Sequence, residues 1–348
     1  MRSPAPLPSP LGSRYTALTV TERVPYDPTP ALATASNEKA GVPVPGAGPR
    51  RRFSLLTRRD KVLLALMVGI PLLVDLALIW GPAIVSFLLS FTNWNGIGSI
   101  TARNLVGLRN YEDLFSGVYV FFWPAVQHNL LWLAFLMFLA TPLGIFMAVL
   151  LDREIRGTRF YQTVFYLPVV LSLAVIGIIW QLQYSVDNGV IDNVLRALGN
   201  RNPPDWFGDS RLNLWAALVA TSWRHVGYIM VLYLAGLKSF DPTLREAARV
   251  DGANERQTFF RIVFPAMRPI NVVIVVITTI EALRAFDIAY ITNGGRNGLE
   301  LLSTLITNNS ISESNRVGFG SAIAVVLLVI SLGPIVTFLA RTMREERQ

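Results

Sequence analysis

The chain has 348 residues, of which 52% are hydrophobic and only 16% charged, with no cysteine and a formal net charge of +8. So few polar residues cannot coat a soluble globule of this length, and the chain reads as an integral membrane protein. The lack of cysteine excludes disulfides, thiolate metal sites and cysteine nucleophiles. The lysines are Lys39, Lys61 and Lys238 alone, so the positive charge is mostly arginine's; in a membrane protein it marks cytoplasmic loops rather than a nucleic-acid partner.

Residues 1–57 are rich in Pro, Ala, Ser, Thr and Gly and lack a helical apolar period, which predicts a disordered cytoplasmic tail. Its beginning has no apolar core of the length a cleavable signal needs, so the first span is expected to act as the insertion signal. Six segments then reach the roughly 20 apolar residues that cross a hydrocarbon core. They lie at about 62–91, 123–150, 163–182, 213–236, 270–291 and 318–340. Arg58/Arg59, Arg153/Arg156/Arg159, Lys238 to Arg268 and Arg341/Arg344/Arg347 flank alternate ends, which predicts both termini in the cytoplasm. Gly69, Pro71, Gly81, Pro82, Pro142 and Gly144 interrupt the spans, a pattern tolerated only in a packed bundle.

Several spans carry ionisable residues at bilayer depth, where each costs about 2.5–3.5 kcal/mol on insertion scales. Asp75 in the first reads as a hydrogen-bond partner within the bundle. In the fourth, Thr221, Arg224 and Tyr228 share one helical stripe, with His225 beside it. In the fifth, Glu281, Arg284 and Asp287 recur at three-residue spacing. The two stripes either form a polar midplane site for a hydroxyl-rich ligand or, in the fifth span, neutralise one another as i,i+3 pairs. His225 reads as a packing residue as readily as a ligand, and His128 is the only other histidine, so no metal site can be built from imidazoles. Most tryptophans fall near span ends, where an interfacial belt is expected; Trp223, beside Arg224, has a place on the path.

Between the fourth and fifth spans stands a polar stretch with explicit helix punctuation. Asp241 suits an N-cap, Pro242 the first helical position and Gly252 a left-handed stop, predicting a helix from Pro242 to Asp251. Asn254 then suits the cap of a second helix, with Gln257 reaching back to it, until Pro265 and Pro269 re-aim the chain. No lysine follows a glycine, so the phosphate-cradling GxxxxGK[ST] loop is absent; the chain is expected to be no enzyme and to need no cofactor.

Glu246-Ala247-Ala248, three residues, Gly252, nine residues, Ile262, one residue, then Phe264-Pro265 resembles the loop of bacterial ATP-binding-cassette (ABC) importer permeases, with Phe264 where leucine is usual. Further matches are Val106 to Tyr111, Gly157 to Tyr161 leading into Phe165 to Pro168, Gly189 to Leu195, Asp205 to Asp209, Ala235 to Leu237, Phe286-Asp287 and Thr292 to Gly295. In this order they resemble the carbohydrate-type branch of type I importer permeases over most of 60–342, departing at Arg296, where proline commonly follows the two glycines.

The resemblance implies an all-α integral membrane protein: six transmembrane helices in a type I ABC importer permease bundle with cytoplasmic coupling helices. Its implied divisions are the tail 1–57, a first transmembrane helix and outer loop at 58–122, a five-helix core at 123–342 containing the coupling loop 238–269, and a cytoplasmic C-terminus at 343–348. It implies that Glu246, Ala247, Ala248, Asp251, Gly252 and Pro265 engage an ATPase, and that Thr221, Trp223, Arg224, His225, Tyr228, Glu281 and Arg284 line the substrate pathway. The implied partners are a second, different permease, two copies of a cytoplasmic ATPase, an extracytoplasmic solute-binding protein and the lipid bilayer of a bacterial cell membrane. The implied function is half of the pathway of an ATP-driven sugar importer. Import of a glycerophosphodiester or another phosphorylated or acidic solute is the alternative, since Arg224 and Arg284 suit an anion. A membrane-embedded enzyme using Asp75, Glu281 and His225 lacks catalytic spacing, and an ion-driven carrier would be expected to show inverted repeats.

Overall fold

The computed structural model describes residues 57–153, 156–312 and 315–345. Apart from Thr57, the expected tail 1–57 lies outside those residues. Among the described residues there is no strand, only an isolated bridge between Thr92 and Leu105. Long apolar runs with internal backbone hydrogen bonds leave helices as the local solution.

The first long helix, α1 (Arg59–Leu89), holds a π-helical turn at Leu76–Trp80, just before Gly81-Pro82. Next come the short α2 (Arg109–Phe115) and the long α3 (Phe122–Asp152), again with a π turn, Leu136–Ala140, just ahead of Pro142. In both helices the proline removes a backbone donor, and the wider turn absorbs the mismatch. Then follow α4 (Thr158–Val170), α5 (Leu173–Gln183), α6 (Val190–Ala197) and α7 (Asn213–Ser239). The polar hairpin comprises α8 (Pro242–Val250) and α9 (Glu255–Thr258), and α9 runs on through the π turn Phe259–Val263. The chain ends with α10 (Arg268–Leu283), α11 (Asp287–Asn293), α12 (Leu302–Thr307) and α13 (Val317–Glu345).

Among the described residues three helices, Arg59–Leu89, Phe122–Asp152 and Val317–Pro334, are long and apolar enough to cross a membrane, or four if α4 and α5, bent by 104°, make one span. The expectation of six spans meets this only in part, for identifiable reasons. The 163–182 segment breaks where Leu171 turns extended and the hydroxyl of Ser172 caps α5, accepting from the Val175 amide at 3.3 Å. The 213–236 segment is one 27-residue helix, but Arg224 and His225 in its middle lower its hydropathy. The 270–291 segment stops at Leu283. Asn129 of α3 donates to the freed carbonyls of Ala282 and Leu283, and Ser303 donates to that of Ala285. Borrowed donors thus replace the missing helical turn.

Residues Val62–Gln348 form one unit. Its apolar centre joins Trp132 and Leu136 of α3, Ile176 of α5, Leu218 of α7 and Ala282 of α10. A second cluster sits nearer the hairpin, with Leu151, Ile229, Tyr233, Leu237, Met267 and Ile274. Between them α3 and α7 touch closely at Gly144, where an added Cβ would lie 2.8 Å from Ile229 Cβ and 2.9 Å from the Val226 carbonyl. A small residue there sets the helix separation. By contrast, the most apolar stretch of α1 buries no residue, and Asp75, expected to find a partner in the bundle, has no side-chain hydrogen bond among the described residues.

Candidate functional site

The hairpin is built by its own local hydrogen bonds. Asp241 Oδ1 accepts from the Thr243 amide at 2.9 Å, and this contact, with the Thr243 side chain, holds the Asp241 carboxyl below the usual carboxylate range. Pro242 occupies the first turn, where an amide would be unpaired in any case. At the far end the Ala253 amide reaches the Ala248 carbonyl at 2.9 Å and the Gly252 amide reaches Arg249 at 3.1 Å, a Schellman closure with Gly252 at φ +80°. Asn254 and Gln257 form the reciprocal box, at 2.9 and 2.8 Å.

This architecture sorts the residues expected to engage an ATPase. Glu246, Ala247, Asp251, Gly252 and Pro265 are exposed, whereas Ala248 is only 3% exposed and turns inward beneath the hairpin. Val250, 88% exposed, shares the outward face with Ala247 and was not anticipated. The spacing held the signal, since residues 243, 246, 247 and 250 fall on one helical face.

Deeper in the bundle, one carboxylate organises three helices. Glu281 of α10 accepts from Arg224 Nη1 at 2.7 Å through one oxygen and faces His225 Nδ1 at 2.7 Å through the other. His225 is 1% exposed, and its Nε2 lies 3.0 Å from Thr141 Oγ1 and 3.4 Å from Thr278 Oγ1. Both ring nitrogens thus have polar partners, Nδ1 the carboxylate and Nε2 the two hydroxyls. Thr141 and Thr278, 3.3 Å apart, were missed; the available signal was a hydroxyl beside a helix-breaking proline in Thr141-Pro142.

The network does not gather every residue expected on the pathway. Thr221, Arg224, His225 and Glu281 line a cavity of about 30 Å³ together with Trp132 and Asp287. Trp223 stands against Trp180, rings edge to face at 6.0 Å, and Tyr228 is half-buried in the lower cluster. Arg284 is exposed at the C-cap of α10. Because the helix ends there, Glu281, Arg284 and Asp287 do not continue one stripe, and Glu281 pairs with Arg224 and His225 across helices rather than with its own neighbours. Among the described residues no cluster of three or more His, Asp or Glu side chains suits a metal ion.

A helical bundle with three or four helices apolar enough to cross a membrane, a polar hairpin and a charge network linking its helices has the architecture of an integral membrane protein. Residues 140–345 match the family model of the binding-protein-dependent transport system inner membrane component. The xylose/arabinose import permease protein XacH of Haloferax volcanii is 34% identical over 274 residues, covering 78% of this chain and 85% of its own length. The probable starch degradation products transport system permease protein AmyD of Thermoanaerobacterium thermosulfurigenes is 28% identical over 72% of this chain and 83% of its own. A chain of the bacterial alginate ABC transporter, solved in complex with an alginate pentasaccharide-bound periplasmic protein, superposes with TM-score 0.70 at 21% identity, over 82% of this chain and 95% of that one. The chain belongs to the binding-protein-dependent inner-membrane permeases of ABC importers, in their carbohydrate-type branch.

Proposed function

We propose that this chain forms half of the translocation pathway of an ATP-driven sugar importer and couples to cytoplasmic ATPases through the Glu246–Pro265 loop. The exposed face of a self-capped hairpin between α7 and α10 carries this reading: Glu246, Ala247, Val250, Asp251 and Gly252 face away from their own chain. A rigid end with small and apolar side chains, edged by two carboxylates, suits a groove lined by basic groups. In this reading all six apolar segments cross the bilayer of a cell membrane, with both termini cytoplasmic. A second, different permease completes the pathway, two ATPase copies drive it, and an external solute-binding protein delivers the solute. The division into tail, first helix with outer loop, five-helix core and C-terminus belongs to the same reading.

Thr221, Arg224, His225 and Glu281 are the pathway residues that the network supports best; Trp223, Tyr228 and Arg284 stand at its margins. The carboxylate of Glu281 already neutralises Arg224, which favours an uncharged, hydroxyl-rich solute over a phosphorylated one. Glu246→Lys and Gly252→Pro test the coupling, the second because proline cannot adopt φ +80°. Both variants are expected to insert normally and to abolish uptake of labelled pentose or maltodextrin by the assembled complex. Normal uptake in either removes the coupling assignment, and uptake of a glycerophosphodiester but neither sugar reassigns the solute.

A further inference from the structure

Besides the apolar packing of Phe259 and Val263 against the lower cluster, ion pairs fasten the hairpin to the end of α3. Asp152, its last residue, has a side chain only 10% exposed and is held from two sides: Arg245 Nη1 of α8 at 2.7 Å and Lys238 Nζ of α7 at 3.4 Å. The next residue, Arg153, donates to Glu255 of α9 at 2.7 Å. Two consecutive residues of opposite charge thus grip the two helices of the hairpin.

The two grips differ in strength. Arg153 and Glu255 are 54% and 70% exposed, where an ion pair contributes little. Asp152 is shielded from water, and the Arg245 guanidinium also lies 5.5 Å over the Phe240 ring, so this contact resists pulling apart. These four charged residues line a cavity of about 130 Å³ under the hairpin, so ion pairs bridge a gap there that apolar packing does not fill.

From Asp152 the α-helix runs unbroken back to Thr141. Its twelve residues, spaced 1.5 Å apart along the axis, make a rod about 16 Å long. At its other end Thr141 meets His225 and Thr278, and immediately before it comes the π turn Leu136–Ala140, where the helical bonding changes register. A stiff rod, latched at one end, bonded to the network at the other and bordered by a softer turn, has the parts of a lever.

We propose that Asp152 is a positioning residue for coupling: by gripping Arg245 it makes the segment Thr141–Asp152 move with α8, so that displacement of the hairpin reaches the Arg224–His225–Glu281 network. The proposal rests on the coupling reading above but is separable from it. Because the chain has no cysteine, spin labels can be placed uniquely at two exposed positions, Leu244→Cys on α8 and Phe146→Cys on the rod. In the full complex, with trapped ADP–vanadate verified, the distance between labels should match that of the nucleotide-free state. Asp152→Asn and Arg245→Gln should each make the two distances differ on trapping, the double variant no more than either single one, and Arg245→Lys should restore the constant distance. A constant distance in Asp152→Asn and Arg245→Gln overturns the lever. Failure of Val250→Cys to crosslink to the ATPase overturns instead the coupling reading.

Discussion

Glu281 is the residue on which the most chemistry converges. Its two oxygens serve a guanidinium and an imidazole at once, and both partners are more buried than side chains of their kind usually are. Glu281→Ala is expected to lower the stability of the assembled complex by about 3 kcal/mol, because it strands the Arg224 guanidinium without its counter-charge and His225 Nδ1 without its hydrogen-bond partner. Glu281→Gln, which keeps the shape and one acceptor, should cost less, and denaturant titration of the two variants checks the order. Asp241 offers a pH-dependent counterpart. Its folded carboxyl titrates below the ordinary 3.8, so its cap is fully present above that pH and is lost as the pH falls through the lower, folded value. Protection of the Thr243 amide, taken relative to its intrinsic exchange rate, should therefore fall as the pH drops below 3.8 through that lower value in the native chain and show no such step in Asp241→Asn, where no carboxyl remains.

At the scale of elements, the most demanding contact is the crossing of α3 and α7. A Cβ at position 144 would press on both Ile229 and the Val226 carbonyl, neither of which is the free end of a flexible side chain. Gly144→Val should cost about 1–3 kcal/mol of overpacking, seen as a lower melting temperature of the detergent-solubilised complex. Because the same crossing brings Thr141 to His225, labels on the two helices should also report a wider separation. The hairpin is legible in the order of residues alone, since each of its signals acts over a few positions: Asp241 on Thr243, Asn254 on Gln257, Gly252 on the turn it closes. The end of α10 is not. Arg284 and Phe286 carry no proline or glycine mark, and where the helix stops the side-chain amide of Asn129, about 150 positions earlier, donates to the carbonyls of Ala282 and Leu283.

For the whole molecule, the unburied apolar length of α1 and the outward face of α8 leave surface that the other described residues do not cover. Lipid, a second permease and an ATPase are the occupants proposed for it. Native mass measurement of the complex purified through this chain should give one copy each of two different permeases and two ATPase copies. Recovery of this chain alone, stable and without an ATPase, would contradict the assembly. Family, bundle class and hairpin followed from the order of residues along the chain, because apolar length, helix caps and motif spacing act between near neighbours. The partners of the buried charges did not. Glu281 had Arg284 and Asp287 near it in sequence, and pairs instead with side chains more than fifty positions away. Which charges meet depends on how closely the helices cross, and that distance is set by packing at places such as Gly144, through contacts that no local pattern encodes.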